Sequence, residues 1–130
     1  MNAELLYEHT DLKTLLGSIG ENHRYIKILL KTKSNNIKEI QSVMDEKART
    51  KTPLNEGQQR VFYEFIGLHA KEGGNLQKSL MRIEYIQNIL HNENTQPFKL
   101  ALLLLQKHQD SAIKSLRRMI TSCQQTLNVL

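Results

Sequence analysis

The sequence predicts an all-α protein, an antiparallel up-down bundle of three long helices plus a shorter N-terminal helix, a four-helix bundle. Leucine and isoleucine recur three or four residues apart, and two proline-containing segments interrupt this pattern. In the middle of the chain, one helical phase is kept by Val61, Phe65, Leu68, Leu76, Leu80, Ile83, Ile86 and Leu90. Apolar residues at this spacing form a stripe along a helix, and such stripes favour long helices that pack against one another.

Proline, glycine and capping residues indicate where the predicted helices begin and end. Thr52 precedes Pro53 in the first interruption, where a threonine cap and a proline at the first helical position would start a helix. Pro97 repeats this arrangement in the second interruption. A weaker break contains Ser18 and Glu21 at the spacing of a capping box. We therefore expect helices over about 3–16, 20–49, 54–91 and 97–128, with fusion of the first two into one bent helix as the alternative.

Three glycines fall inside the predicted third helix, namely Gly67, Gly73 and Gly74. A glycine in a helix interior costs about 1 kcal/mol relative to alanine. Two explanations are compatible with their presence. The helix kinks or breaks locally at the glycine pair, or another helix approaches closely there.

Length and composition indicate one domain, residues 1–130, of an ordinary soluble protein. The 130 residues are 39% hydrophobic and 24% charged, and only 5% are aromatic, so we expect an aliphatic core. Cys123 is the single cysteine, which excludes an intrachain disulfide and favours a reducing compartment. Its spacing predicts a buried, inert thiol. The acidic N-terminus lacks a secretory signal, and the apolar run Leu100–Leu105 is too short to insert into a membrane, so we predict a cytoplasmic protein.

Motifs for catalysis or metal binding do not occur. The sequence lacks the Glu-x-x-His pairs of di-metal bundles, and the reverse pair, His69 and Glu72, is interpreted as an imidazole partnered by a carboxylate. Phosphate-binding glycine loops and activated nucleophiles are also missing. We therefore predict no enzyme activity, no catalytic residue, no metal, no cofactor and no small-molecule substrate. Asn36, His69 and His108 are expected to fix the register of the helices.

The net charge of +5 is concentrated in the second and fourth predicted helices. At helical spacing, these basic residues form two stripes: Arg24, Lys27, Lys31 and Lys38 in one, and Lys107, Lys114 and Arg118 in the other. Such stripes can contact nucleic-acid phosphates without reading sequence, or they can be ordinary solvated faces. No aromatic residues are interleaved with them, so stacking on single-stranded bases has little support.

Excess apolar residues in the last predicted helix suggest a binding surface. Leu100, Leu103 and Leu104 lie in an uninterrupted apolar run that is wider than one helix stripe. Either the other helices cover this run, or it binds a partner helix or a second copy of the chain. Our leading hypothesis is a non-enzymatic protein-protein interaction module, such as an adaptor, a small chaperone or a regulatory subunit. The alternative is a nucleic-acid-associated protein that uses the basic stripes.

Overall fold

Three α-helices make up almost all of the computed structural model, which describes residues 11–92 and 98–130. Helix α1 spans Leu12–Arg49, α2 spans Glu56–Asn92 and α3 spans Phe98–Val129. No strand occurs within these two described ranges. The protein is all-α, as predicted, but the predicted four-helix bundle is wrong, because the described chain forms a bundle of three helices.

The first helix crosses the predicted break without interruption. The carboxylate of Asp11 accepts a hydrogen bond from the backbone N–H of Thr14 at 3.2 Å and thereby caps the start of α1. Ser18 does not cap a helix, because its hydroxyl accepts a hydrogen bond from Gln106 Nε2 at 2.8 Å. The predicted separation into helices 3–16 and 20–49 is therefore wrong over the described chain. Residues 3–10 lie outside the described residues.

Helix α2 begins later than the proline suggested. Asn55 and Gln58 form a reciprocal cap, in which Gln58 N–H donates to Asn55 Oδ1 at 2.9 Å and Asn55 N–H donates to Gln58 Oε1 at 3.0 Å. This cap satisfies two backbone donors at once, so it defines the helix start more strongly than Thr52 and Pro53 do. Those two residues lie in the turn before the helix.

Helix α3 is the central helix of the bundle. It packs against both α1 and α2, whereas no Cα atom of α1 comes within 8 Å of a Cα atom of α2. Gln106 bonds to Ser18, and Gln109 Nε2 donates to the carbonyl of Ile19 at 3.2 Å, so α3 runs parallel to α1. At the other end, Gln58 Nε2 donates to the carbonyl of Val129 at 3.1 Å, and α2 therefore runs antiparallel to α3.

The core is aliphatic and draws on all three helices. Its main cluster consists of Ile26, Leu29, Leu76, Ile83, Leu105, Ala112, Ile113, Leu116, Met119 and Ile120. Most of these residues belong to α3, since that helix is covered from two sides. No aromatic side chain among the described residues is buried to the same degree.

The glycines of α2 mark neither a break in the helix nor a close approach of another helix. Helix α2 continues unbroken through Gly67, Gly73 and Gly74. A Cβ atom added at any of the three would meet no other atom within 4 Å, so close helix approach does not explain these glycines.

Candidate functional site

One side of the central helix is left uncovered by the other described helices, and we call it the outer face of α3. It consists of Leu100, Leu103, Leu104, Lys107, Lys114 and Arg118. Leu104 is 44% exposed, whereas its neighbours Leu102 and Leu105 are buried. Leu100 and Leu103 are half-buried, and the three basic residues are exposed. The residues are separated by three, four or seven positions, with Leu103 beside Leu104, so they share one side of the helix.

The outer face of α3 joins two sets of residues that the sequence analysis treated separately. The apolar residues occupy its first two turns, and the basic residues continue the same stripe towards the C-terminus. Their roles as partner-binding and basic surface residues stay predictions. Sequence alone did not relate the two sets, because it did not reveal which side of this helix the neighbouring helices cover.

The other predicted basic stripe lies on α1 and not on the outer face of α3. Arg24, Lys27, Lys31 and Lys38 are all exposed on α1. Their helical phase is roughly opposite to that of the buried α1 residues, which are Leu15, Ile26, Leu29 and Ile40. The stripe therefore points away from α3, and the bundle does not merge it with the basic residues on the outer face of α3.

Two neighbouring arginines of α3 are each held by a residue of a flanking helix. Arg117 Nε donates to the hydroxyl of Tyr25 at 3.0 Å, and its guanidinium carbon lies 5.3 Å from the centre of that ring. Arg118 Nη1 lies 3.3 Å from Oε1 of Glu72, whose side chain is only 5% exposed. The second oxygen of Glu72 is buried and has no hydrogen-bond partner. These two contacts join α3 to α1 and to α2.

The predicted pairing of Glu72 with His69 is wrong. His69 was interpreted as the partner of this carboxylate, but His69 Nε2 lies 3.1 Å from the carbonyl oxygen of Met119 and 3.6 Å from Cys123 Sγ. The actual partner of Glu72, Arg118, is 46 residues away in the chain. A local spacing of three residues cannot reveal such a pair.

The His69 and Cys123 pair is not an activated nucleophile. Cys123 is completely buried, which confirms the predicted burial. Burial raises the pKa of the Cys123 thiol, while burial lowers the pKa of His69 and the nearby charge of Lys33 lowers it further. The neutral forms of both groups are therefore favoured, whereas a catalytic cysteine needs a stabilised thiolate.

Protonation of His69 should make folding stability depend on pH. Because the pKa of His69 in the folded protein is below 6.5, the unfolded chain takes up a proton that the folded chain excludes. The stability contributed by neutral His69 should be fully present above about pH 6.5, the pKa of an unperturbed histidine, and should be lost as the pH falls below that value through the lowered pKa of the folded protein. Urea denaturation at several pH values would measure this slope.

The matched variants for the pH experiment are His69→Gln and His108→Gln. Burial also lowers the pKa of His108, with the charges of Arg82 and Lys107 adding to the effect. Each replacement should reduce the pH dependence, and the double replacement should reduce it most. An unchanged slope in the double variant would contradict this prediction.

The hydrogen bonds that set the register between α1 and α3 come from polar residues other than Asn36, His69 and His108. Asn22 Nδ2 donates to Gln109 Oε1 at 3.3 Å, and Gln109 is buried. Together with the Ser18 hydrogen bond to Gln106, this contact fixes how α1 lies along α3. Asn36 has a buried side-chain nitrogen without a hydrogen-bond partner, so no contact of that nitrogen supports the expected role of Asn36 in register.

Within residues 11–92 and 98–130, no three His, Cys, Asp or Glu side chains lie together in a way that would hold a metal ion. Among the helices described, none combines the length and apolar character needed to span a bilayer.

Comparisons with known proteins do not assign a family. No protein-family model matches the sequence, and neither the curated proteins nor the solved structures contain a significant match to it.

Proposed function

We propose that this chain is a non-enzymatic interaction module that binds an acidic amphipathic helix of a partner protein along the outer face of α3. The observation that carries the proposal is the position of Leu104 and the basic stripe on the one side of the central helix that α1 and α2 leave uncovered. Adaptors, small chaperones and regulatory subunits all use such surfaces. A cytoplasmic location, predicted from the sequence, stays part of this proposal.

The geometry of the outer face suits a helix as its ligand. Leu103 and Leu104 follow Leu100 by three and four positions, so the three leucines form a short apolar strip along α3, and a partner helix presents its own residues at the same spacing. Apolar partner residues would pack on these leucines. Lys107, Lys114 and Arg118 then continue along the same line, where acidic partner residues would find opposite charge.

Charge argues against a second copy of the chain as the ligand. If two outer faces paired in parallel, Lys107, Lys114 and Arg118 of both copies would oppose each other. If they paired antiparallel, the basic half of each face would lie over the leucines of the other. Both arrangements are unfavourable, and the net charge of +5 adds repulsion between copies.

The nucleic-acid alternative has less support from the geometry. Phosphate contacts along a duplex or an RNA strand would be strengthened by a continuous basic surface. The α1 stripe and the basic residues of α3 instead point in different directions from the bundle. Nucleic-acid binding stays a prediction from the sequence.

Replacement of Leu104 with lysine should weaken binding of an acidic helix while leaving the bundle folded. The probes would be two synthetic helical peptides, each with leucines at one end and glutamates at the other, in opposite sequence order. We expect one of them to bind the wild-type chain, with affinity that falls as salt is raised. The loss of leucine burial should weaken binding about tenfold or more in Leu104→Lys. Fluorescence anisotropy would measure both effects.

The control is Met81→Lys, because Met81 is 62% exposed on α2 and does not belong to the outer face of α3. This variant should bind the peptide as the wild type does. Equal binding by wild type and Leu104→Lys would overturn the proposal, as would no binding of either peptide at low salt. Sedimentation that shows a dimer broken by Leu104→Lys would identify a second copy as the ligand, also against the proposal.

A further inference from the structure

We propose that the C-terminal part of the outer face of α3 leads into a pocket that binds a phosphoryl group of a phosphate monoester. A shallow, open cleft of about 290 Å³ with a largely apolar surface lies there, lined by Leu68, Arg117, Arg118, Thr121, Ser122 and Gln125. This volume is at the lower limit of small-molecule pockets, so the cleft suits one functional group rather than a large ligand.

The two arginines are held in place before any ligand arrives. Tyr25 of α1 holds Arg117 through its Nε, which leaves both terminal nitrogens of that guanidinium able to donate. Glu72 of α2 holds Arg118 through Nη1 at 3.3 Å. Flexible arginines lose side-chain entropy when they bind an anion, and part of this loss is avoided when the guanidinium is already fixed. Ordinary solvated arginines lack such anchors.

The residues that line the cleft carry more kinds of donor than a carboxylate needs. Besides the two arginines, the lining includes Thr121 and Ser122, which have hydroxyl groups, and Gln125, which has an amide group. A carboxylate has two oxygens in one plane. A phosphate monoester has three terminal oxygens arranged around phosphorus, and each can accept hydrogen bonds from a different direction.

Formal charge is also consistent with a phosphate monoester. Arg117 and Arg118 contribute two positive charges, and Glu72, counted as ionised, removes one. Lys114 precedes Arg118 by one helical turn and restores a net charge of two. A phosphate monoester carries about −1.5 to −2 charges at neutral pH, close to the opposite of this sum.

The identity of the molecule that carries the phosphoryl group rests on the function proposed above. Leu104 and Thr121 are 17 residues apart in α3, a distance of about 26 Å along the helix. A partner helix of that length would place a phosphorylated serine or threonine at the cleft while its apolar residues pack on the leucines. Binding of phosphate itself does not depend on this partner.

Titration of the full chain with inorganic phosphate, followed by ¹H–¹⁵N NMR, tests the pocket. Saturable shifts should be confined to residues near Arg117, Thr121 and Gln125, and acetate should produce weaker ones. Arg117→Gln should lower the phosphate affinity about tenfold, because it removes charge-assisted hydrogen bonds. The matched control is Lys107→Gln, which removes the same charge from the same helix and should change the affinity by less than about twofold.

Further variants separate the possible outcomes. Gln125→Ala keeps both arginines, so it should weaken phosphate binding even if Arg117→Gln disturbs the fold. Leu104→Lys should leave phosphate binding intact, which distinguishes failure of the pocket from failure of the helix-binding proposal. A phosphoserine peptide should bind more tightly than its serine counterpart. Shifts spread over all lysines, equal responses to phosphate and acetate, or unchanged affinity in both pocket variants would each overturn the inference.

Discussion

Leu116→Ala should lower the free energy of unfolding by about 2 to 5 kcal/mol, the range for buried leucines. Leu116 is completely buried and belongs to the core cluster, where α1 and α2 both pack on α3. Removing its side chain leaves a cavity. Because α3 is packed between α1 and α2, the helices cannot readily move together to close it. Since domains of this size are stable by only about 5 to 15 kcal/mol, the loss should be a large fraction of the total stability.

Urea denaturation monitored by circular dichroism would measure this effect. Leu104→Ala is the matched control, because it removes the same atoms from the exposed side of the same helix. Its effect should be below about 1 kcal/mol. If the two variants were destabilised equally, α3 would not be the central helix.

Replacing both Gly73 and Gly74 with alanine should raise the free energy of unfolding by about 2 kcal/mol, from about 1 kcal/mol at each position. Alanine loses less backbone entropy than glycine when a helix forms. The usual obstacle to such a change is collision of the new methyl group with a neighbour. No atom lies within 4 Å of the position that either methyl group would occupy.

The increase in the free energy of unfolding would be measured from the shift of the midpoint of urea denaturation. Ala70→Gly makes the reverse change at an exposed position of the same helix and should cost about 1 kcal/mol. A destabilised double-alanine variant would contradict the prediction. It would indicate that α2 needs glycine at these positions for a backbone conformation that alanine does not adopt.

Local features of the fold were predictable from the sequence. The apolar stripe of the middle stretch identified α2, and the turn before Glu56 was placed within three residues of its position. Burial of Cys123 followed from its spacing relative to neighbouring apolar residues. Each of these predictions depends on residues within one or two helical turns, and helical periodicity is a property of that range.

Features that depend on distant residues were missed. The apparent break near Ser18 could not be dismissed from the sequence, because the hydroxyl that would cap a new helix is bound by Gln106, 88 residues away. Likewise, Glu72 and Arg118 carry no local sign of their pairing. For the candidate site, the sequence identified Leu104 and the basic residues, but it did not identify Arg117 or the cleft beside it.

Long amphipathic helices with an aliphatic core could be predicted from the spacing of apolar residues, because that spacing is a local property of the chain. The position of α3 between α1 and α2, and the face of α3 that these two helices leave uncovered, became known only from the packing of the helices. An apolar stripe shows which side of a helix avoids water, but not which helix covers it. That choice depends on packing and hydrogen bonds between residues far apart in the chain, such as Asn22 and Gln109.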